Sequence, residues 1–420
     1  MSYDIVIVGC GIAGLTCGIE LAKQKKKVCI LEKYGYTGGR VVTYRNDGHQ
    51  WENGAGRISD KHVKVHRLVK KYGLHTVAIG TDQLYIARKE TEENGYPNRF
   101  EEQFAAILHQ VKQLSPQLLA THTLEKICKS ILGEAKALEF LTQFPYRAEV
   151  SVMPADVAVK SFVGEMGSYE GYTVCVEGLS SLIDGMVKEF KDLGGEVRLR
   201  HEMLSLKQKG GTVTVSCRVG SKKEGFSNAE ISGEKCILAL HSSALKACES
   251  TRHFPALRHL VMCPLLRTYA VFPVQGGKSW FSDLPRVVTG HLTRYFIPVD
   301  PKHGVVMISY TDADDASRLM KILDTKGEKA LGSMILRDVR SMFPERHVPD
   351  YLFFKTHPWT FGCTYWTPGE YDVEAMSNEA MHPDPKSLPS VYVCGESFSM
   401  RQAWMEGAIE HAEALVQTHF

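Results

Sequence analysis

Gly9, Gly11 and Gly14, followed by Glu32 and Arg40, are spaced to hold a dinucleotide. In a Gly-x-Gly-x-x-Gly turn the first glycine makes the tight bend and the second lets backbone approach a pyrophosphate. The third lets helix pack on strand. A carboxylate about twenty residues further on accepts hydrogen bonds from ribose hydroxyls. Such chemistry needs elements in a fixed order, and the chain supplies them. Tyr3–Val8 is a β-branched apolar run of strand length, Ile12–Lys23 has an apolar helical face, and Val28–Leu31 is a second buried strand ending at Glu32. The phosphates then meet the helix N-terminus, where Ile12 and Ala13 lie and where free N–H groups favour negative charge. This unit does not choose between NAD and FAD.

The choice rests on Gly38-Gly39-Arg40, six residues after Glu32: a second glycine turn carrying a guanidinium suited to the same pyrophosphate. Here the sequence resembles the flavin amine oxidase superfamily (monoamine, polyamine and L-amino-acid oxidases). The resemblance implies an α/β fold: an FAD-binding, Rossmann-like, doubly wound domain with a substrate domain of antiparallel sheet and a helical insertion. It places the FAD-binding domain at 1–60, 178–241 and 385–420, the mainly helical insertion at 61–177 and the substrate-binding domain at 242–384. The residues it assigns to FAD are Gly9, Gly11, Ile12, Ala13, Gly14, Glu32, Lys33, Gly39 and Arg40. Gly56, Arg57, Met203, Gly395, Glu396, Ala403, Trp404 and Met405 complete the set.

From Gly54 to Leu74 the chain runs parallel to the L-amino-acid oxidases, with Ser59 where those enzymes carry proline. There the resemblance makes Arg57 the partner of a substrate carboxylate; the competing reading is a contact to FAD or a surface ion pair. Arg267 stands where most amine oxidases place a lysine that holds a water beside the flavin. A guanidinium cannot deprotonate at working pH, so this replacement bears on O2 reactivity. Trp359–Pro368 resembles the cavity-wall stretch, with Trp366 shaping the pocket. Cys363 follows Gly362 as the flavin-linked cysteine follows glycine in monoamine oxidases. Downstream spacing differs, and non-covalent FAD is expected. Near the end, Val391–Cys394 reads as a strand, and Gln402–Ala408 opens a helix whose positive end at Trp404 and Met405 faces the flavin. Trp404 holds the place of an aromatic that faces the substrate.

Elsewhere, periodicity predicts helices over Val63–Tyr72, Phe100–Leu114 and Leu124–Phe140, with a polar loop at Glu90–Asn98. A strand is expected over Val41–Tyr44 and another over Glu196–Met203. Further strands are expected over Val213–Cys217, Lys235–Leu240, Leu266–Phe272, Val287–Thr289, Tyr295–Ile297 and Val305–Tyr310, and a helix over Ala316–Phe343. His62 and His66 lie four apart, a metal-ligand spacing, but with no third ligand nearby they read as a solvated helix face and no metal is assigned. His241 reads as a loop or capping histidine.

Composition bounds the rest. A formal net charge of +2 without a long basic block gives no case for nucleic acid or an anionic membrane. The 11 cysteines are scattered, without a CxxC pair, as buried thiols in a reducing compartment would be. The chain enters its first strand at once and carries no long apolar run, so no signal peptide or membrane span is expected and the cytoplasm is the default. The leading function is oxidation of an L-amino acid or amine at its C–N bond to imine or keto acid, ammonia and H2O2. O2 is the expected acceptor, and a homodimer stays open. The alternatives are an amine or polyamine oxidase without carboxylate recognition, a flavin desaturase or isomerase on an apolar substrate, and a catalytically idle scaffold. No second glycine fingerprint provides for NADPH.

Overall fold

The computed structural model describes residues 2–80, 82–86, 96–97, 100–143, 146–165 and 171–420. Its first sheet forms where the sequence is apolar on both faces. Val28–Leu31 and Gly225–Leu238 flank Tyr3–Val8, all parallel, with Ile5 opposite Val28 and Val8 opposite Leu31. Glu196–Arg198 extends one side, and Val391–Val393 pairs with the last residues of Gly225–Leu238. Because side chains alternate along a strand, Ile5, Ile7 and Ile30 face a layer of helices through Leu15, Ile19, Leu182, Ile183 and Ile409. Val6, Val8 and Leu31 face the other way, onto Leu206, Val213 and Val215. Those belong to an antiparallel meander, His201–Lys209, Thr212–Ser221 and the first half of Gly225–Leu238.

The helices Ile12–Lys23, Leu179–Asp192 and Met405–His419 form the helical layer. The first starts where two glycines leave no alternative. Gly9 has φ +106°, and a Cβ there would stand 2.4 Å from the Ala239 carbonyl oxygen; one at Gly14 would stand 2.0 Å from the Gly9 oxygen.

The second sheet runs in the order Phe353–Trp366, Leu260–Val271, Val305–Asp312, Tyr295–Asp300, Arg286–Thr289, Gln83–Ile86, Tyr96–Pro97. It is antiparallel except where Arg286–Thr289 lies parallel to Gln83–Ile86. Segment 61–177 thus supplies two strands to this sheet. It also supplies Thr76–Ile79 and Tyr172–Cys175 to a small sheet with Ile58–Ser59. The helix Ala313–Met342 covers the second sheet's outer face through Leu319, Leu331, Ile335 and Val339.

Several elements differ from expectation for backbone reasons. The strand expected over Glu196–Met203 breaks at Arg200 (φ +58°) into Glu196–Arg198 and His201–Lys209. The helix expected over Leu124–Phe140 is two, Leu124–Leu132 and Glu134–Gln143, parted at Gly133 (φ +79°). Ala313–Met342 likewise turns at Gly327 (φ +82°). The short strand after Arg40 is Thr43–Asn46, and the helix from Phe100 ends at Val111. Phe353–Trp366 is one long strand where the sequence suggested only a wall segment. The loop expected at Glu90–Asn98 lies, apart from Tyr96–Pro97, outside the described residues.

Candidate active site

A cavity of about 1470 Å³ runs from the first glycine turn to the inner face of the second sheet. At its start, Gly9, Gly11, Ile12 and Ala13 line the wall. An added Cβ at Gly11 would meet nothing nearer than the Gly38 oxygen at 3.9 Å, so backbone is open to a ligand there. Gly11 is the helix N-cap and provides no capping side chain, leaving first-turn N–H groups for an anion. Glu32 is buried and accepts the N–H of Cys10 (2.9 Å) and of Tyr34 (3.0 Å). Burial raises its pKa above the usual carboxylate range, against those two bonds. Lys33, Met203 and Gly39 line the same end. Gly38 and Gly39 both have positive φ, and Gly38 N–H donates to the Cys10 oxygen at 2.8 Å, which clamps the second turn onto the first.

Arg40 stands on the cavity wall with Nη2 2.8 Å from Glu396 and Nη1 donating to the Gly362 oxygen at 2.8 Å. Glu396 also accepts from Thr364 N (3.1 Å), Thr364 Oγ1 (3.2 Å) and Ala403 N (2.8 Å). Its carboxylate is therefore taken up in fixing Arg40 and the turn ahead of the last helix. Ala403 in that turn has φ +67°, which a non-glycine residue adopts only under constraint. Trp404 is the N-cap of Met405–His419, again without a side-chain cap, so this helix start also opens its N–H groups beside Gly395, Trp404 and Met405 on the wall. The glycine turns, two uncapped helix starts and a buried ribose-type acceptor on one elongated cavity fit a dinucleotide with a ring system at its far end.

At that far end stands Arg57, whose guanidinium carbon lies 4.6 Å from the Tyr172 ring centroid, 5.2 Å from Tyr146 and 5.6 Å from Trp404. Among the described residues it makes no hydrogen bond or ion pair. The Tyr172 and Trp404 rings are nearly parallel (11°), 6.3 Å apart. Arg267 also lines the cavity: it donates to the Glu52 oxygen at 3.2 Å, sits 5.2 Å from the Tyr310 ring, and fills the space that a Cβ on Gly56 would need (2.6 Å from Nη1). Cys363 lines the wall, and burial followed by the Glu396 charge pushes its thiol well up, so it is held protonated.

Two expectations are corrected. Trp366 does not shape the cavity: it is fully buried on the opposite side of its strand, in the core shared with the meander, donating to the Ser399 oxygen at 3.3 Å. Strand alternation puts Cys363 and Tyr365 on the cavity side, and Thr364 and Trp366 away from it. His62 is not on a solvated face. It is 1% exposed, accepts the Ser59 N–H at 3.2 Å, and supports the edge of Trp404 at 4.8 Å. His66 bonds the Ser59 oxygen at 3.1 Å. No group of three metal-type side chains occurs among the described residues. His241 caps Ser242–Ala247 by accepting the Ala244 N–H, and burial lowers its pKa to about 4.

Sequence reasoning missed Tyr172, Tyr365 and Glu149. The last lies in the helix Ala148–Ser151, in a lobe without recognisable chemistry; its carboxyl is buried on the cavity wall. Its only sequence signal is an acidic residue flanked by apolar ones.

The glycine turns and the elongated cavity fit the class of dinucleotide-binding oxidoreductases. A family model described as flavin containing amine oxidoreductase matches residues 12–417, and the chain belongs to that family. It is 22% identical to an L-amino acid oxidase of Cerastes cerastes, across 97% of this chain and 84% of that relative. An L-amino acid oxidase of Lachesis muta is 42% identical over 72 residues, which is 17% of this chain and 14% of that one. Among solved structures, putrescine oxidase bound to putrescine superimposes with a TM-score of 0.76 at 14% identity, over 99% of each chain. A redesigned triple mutant of putrescine oxidase gives 0.76 at 15%, over 99% of this chain and 98% of the other. The likeness in fold extends over nearly the whole chain.

Proposed function

We propose that the protein is an FAD-dependent oxidase of L-α-amino acids, with FAD held non-covalently and O2 as the electron acceptor. The observation that carries this reading is Arg57, a guanidinium on the cavity wall with ring contacts but no hydrogen bond or ion pair among the described residues. Such a group is suited to take a carboxylate in a forked, charge-assisted pair. An amine without a carboxylate would instead bring a second cation beside it.

Gly9, Gly11, Ile12, Ala13, Glu32 and Arg40 would hold the dinucleotide, and the helix start at Trp404 and Met405 the ring end. FAD supplies the two-electron acceptor for the hydrogen on the substrate carbon that bears nitrogen. Arg57 anchors the carboxylate, and the rings of Tyr172, Tyr146 and Trp404 hold the guanidinium in place. Cys363 stays protonated, which disfavours its attack on the cofactor. Arg267 favours a second reading, in which electrons leave to an acceptor other than O2, because its wall position holds a permanently charged, hydrogen-bonded guanidinium. Peroxide release by the purified flavoprotein from a panel of amino acids and simple amines tests both readings. Turnover of amines alone would overturn the first; dye reduction without peroxide would establish the second.

A further inference from the structure

Six acids on the cavity wall are matched by what holds them. Glu32 takes the Cys10 and Tyr34 N–H groups, and Glu52 takes Thr43 and the Leu179 N–H. Glu202 is bound to Arg218, Asp300 to His303, and Glu396 to Arg40. Asp312 accepts the N–H groups of Arg147 and Ala148, capping the short helix Ala148–Ser151. Glu149 is different. It is 8% exposed, its Oε1 accepts the Tyr365 hydroxyl at 3.3 Å, and its Oε2 has no partner among the described residues. Of the arginines, Arg40 and Arg267 are hydrogen-bonded and Arg286 is engaged as well, whereas Arg57 has, among the described residues, ring contacts and no hydrogen bond or ion pair. Glu149, with an unpartnered buried oxygen, and Arg57, with no hydrogen bond among the described residues, thus share one wall, close enough for the Arg57 charge to act on Glu149. They are the complement of a zwitterion.

We propose that Glu149 is the proton acceptor for the substrate's ammonium. The N–H bond breaks, its electron pair stays on nitrogen, and the proton bonds to a Glu149 carboxylate oxygen. The amine is then neutral when hydride leaves the adjacent carbon. The inference rests on the reading of the site as one that oxidises a C–N bond, and it adds the group that prepares the nitrogen.

The surroundings suit the task. Burial first, and then Asp312 from the end of Val305–Asp312, push the Glu149 carboxyl up to about 8, while Tyr365 from Phe353–Trp366 and Arg57 pull the other way. Cys363, from the same strand as Tyr365, and Cys263, from Leu260–Val271, also face it, and both are held protonated by burial. A base that titrates near the working pH combines availability with driving force. A substrate carboxylate on Arg57 removes that residue's lowering influence, and the ammonium arriving with it restores one.

The test uses the holoenzyme, wild type and Glu149→Gln, on an L-amino acid and on its decarboxylated amine from pH 6 to 10. Loss of general-base assistance lowers kcat/KM at pH 7 by about 100-fold or more for both substrates, since both bring an ammonium. Flavin content stays as in wild type. The acid limb of the wild-type profile falls at one pH for substrates of different amine basicity; in the variant it follows each substrate's own ammonium. A structural role would leave the wild-type limb in place. Glu149→Gln with wild-type rates and an unmoved limb overturns the proposal, as does a wild-type limb that tracks substrate basicity, which needs no variant at all. Wild-type turnover of the amine but not the amino acid instead refutes the carboxylate role of Arg57, and the amine profile still decides for or against Glu149.

Discussion

Replacing Arg57 by methionine separates amino-acid from amine recognition. In the free protein the guanidinium gives up only its contacts with Tyr172, Tyr146 and Trp404, at 4.6, 5.2 and 5.6 Å. A partly exposed cation–π contact contributes about 0.5–1 kcal/mol, and the methionine stem keeps much of the packing, so folding loses on the order of 1 kcal/mol. The bound state loses far more. Truncating one partner of a desolvated, hydrogen-bonded charge pair costs about 2–5 kcal/mol, which converts to roughly 30- to 4000-fold in kcat/KM. Flavin content persists, because Arg40 and the glycine turns lie at the other end of the cavity. The assay is steady-state kinetics on an L-amino acid and its decarboxylated amine, in both proteins. The amino acid suffers the full loss, while the amine is unchanged or improves as a like charge is removed. Equal losses on both substrates would refute the reasoning and make Arg57 structural or cofactor-bound.

Glu32→Ala strips the acceptor from the Cys10 and Tyr34 N–H groups as well as from a ribose, so flavin retention on gel filtration falls and the melting temperature drops. The lost hydrogen bonds are worth about 1–3 kcal/mol, and unchanged retention would mean that the first turn holds no nucleotide. Acid precipitation releases FAD into the supernatant, as a protonated Cys363 implies; flavin in the pellet would establish a covalent link. Glu149 also predicts a stability signature. Its pKa is raised to about 8 in the fold, above the unfolded value of about 4.3, so the folded state binds the extra proton between those values. The stability from this group is full below the lower value and is lost as pH rises through the upper one. Urea midpoints should therefore show the advantage of wild type over Glu149→Gln shrinking from pH 5 to 8; a constant difference would contradict the shifted group.

How much was legible depended on the range of the constraint. The first strand, helix and second strand formed where their apolar patterns and glycines put them, because the requirements there are local: a positive φ at Gly9 and no room for a Cβ at Gly14. The same local grammar marked the strand Val391–Val393 and the C-terminal helix start at Trp404. The partners of those residues were not local. Arg40 reaches Glu396 and Gly362 across more than 300 residues of chain, and only folding brings the two turns together. Trp366 and Tyr365 differ by a single step of the strand, and pairing with Leu260–Val271 decided which of them faces the cavity. Glu149 gave no signal in its own segment beyond its apolar neighbours Ala148 and Val150, since what sets it apart is imposed from outside. Burial against Asp312, Tyr365 and Arg57, from three other parts of the chain, leaves one carboxyl oxygen without a partner among the described residues. Residue types and their spacing therefore marked the glycine turns and the acid suited to a dinucleotide, whereas tertiary contacts alone decided which charged groups are already satisfied and which remain for a substrate.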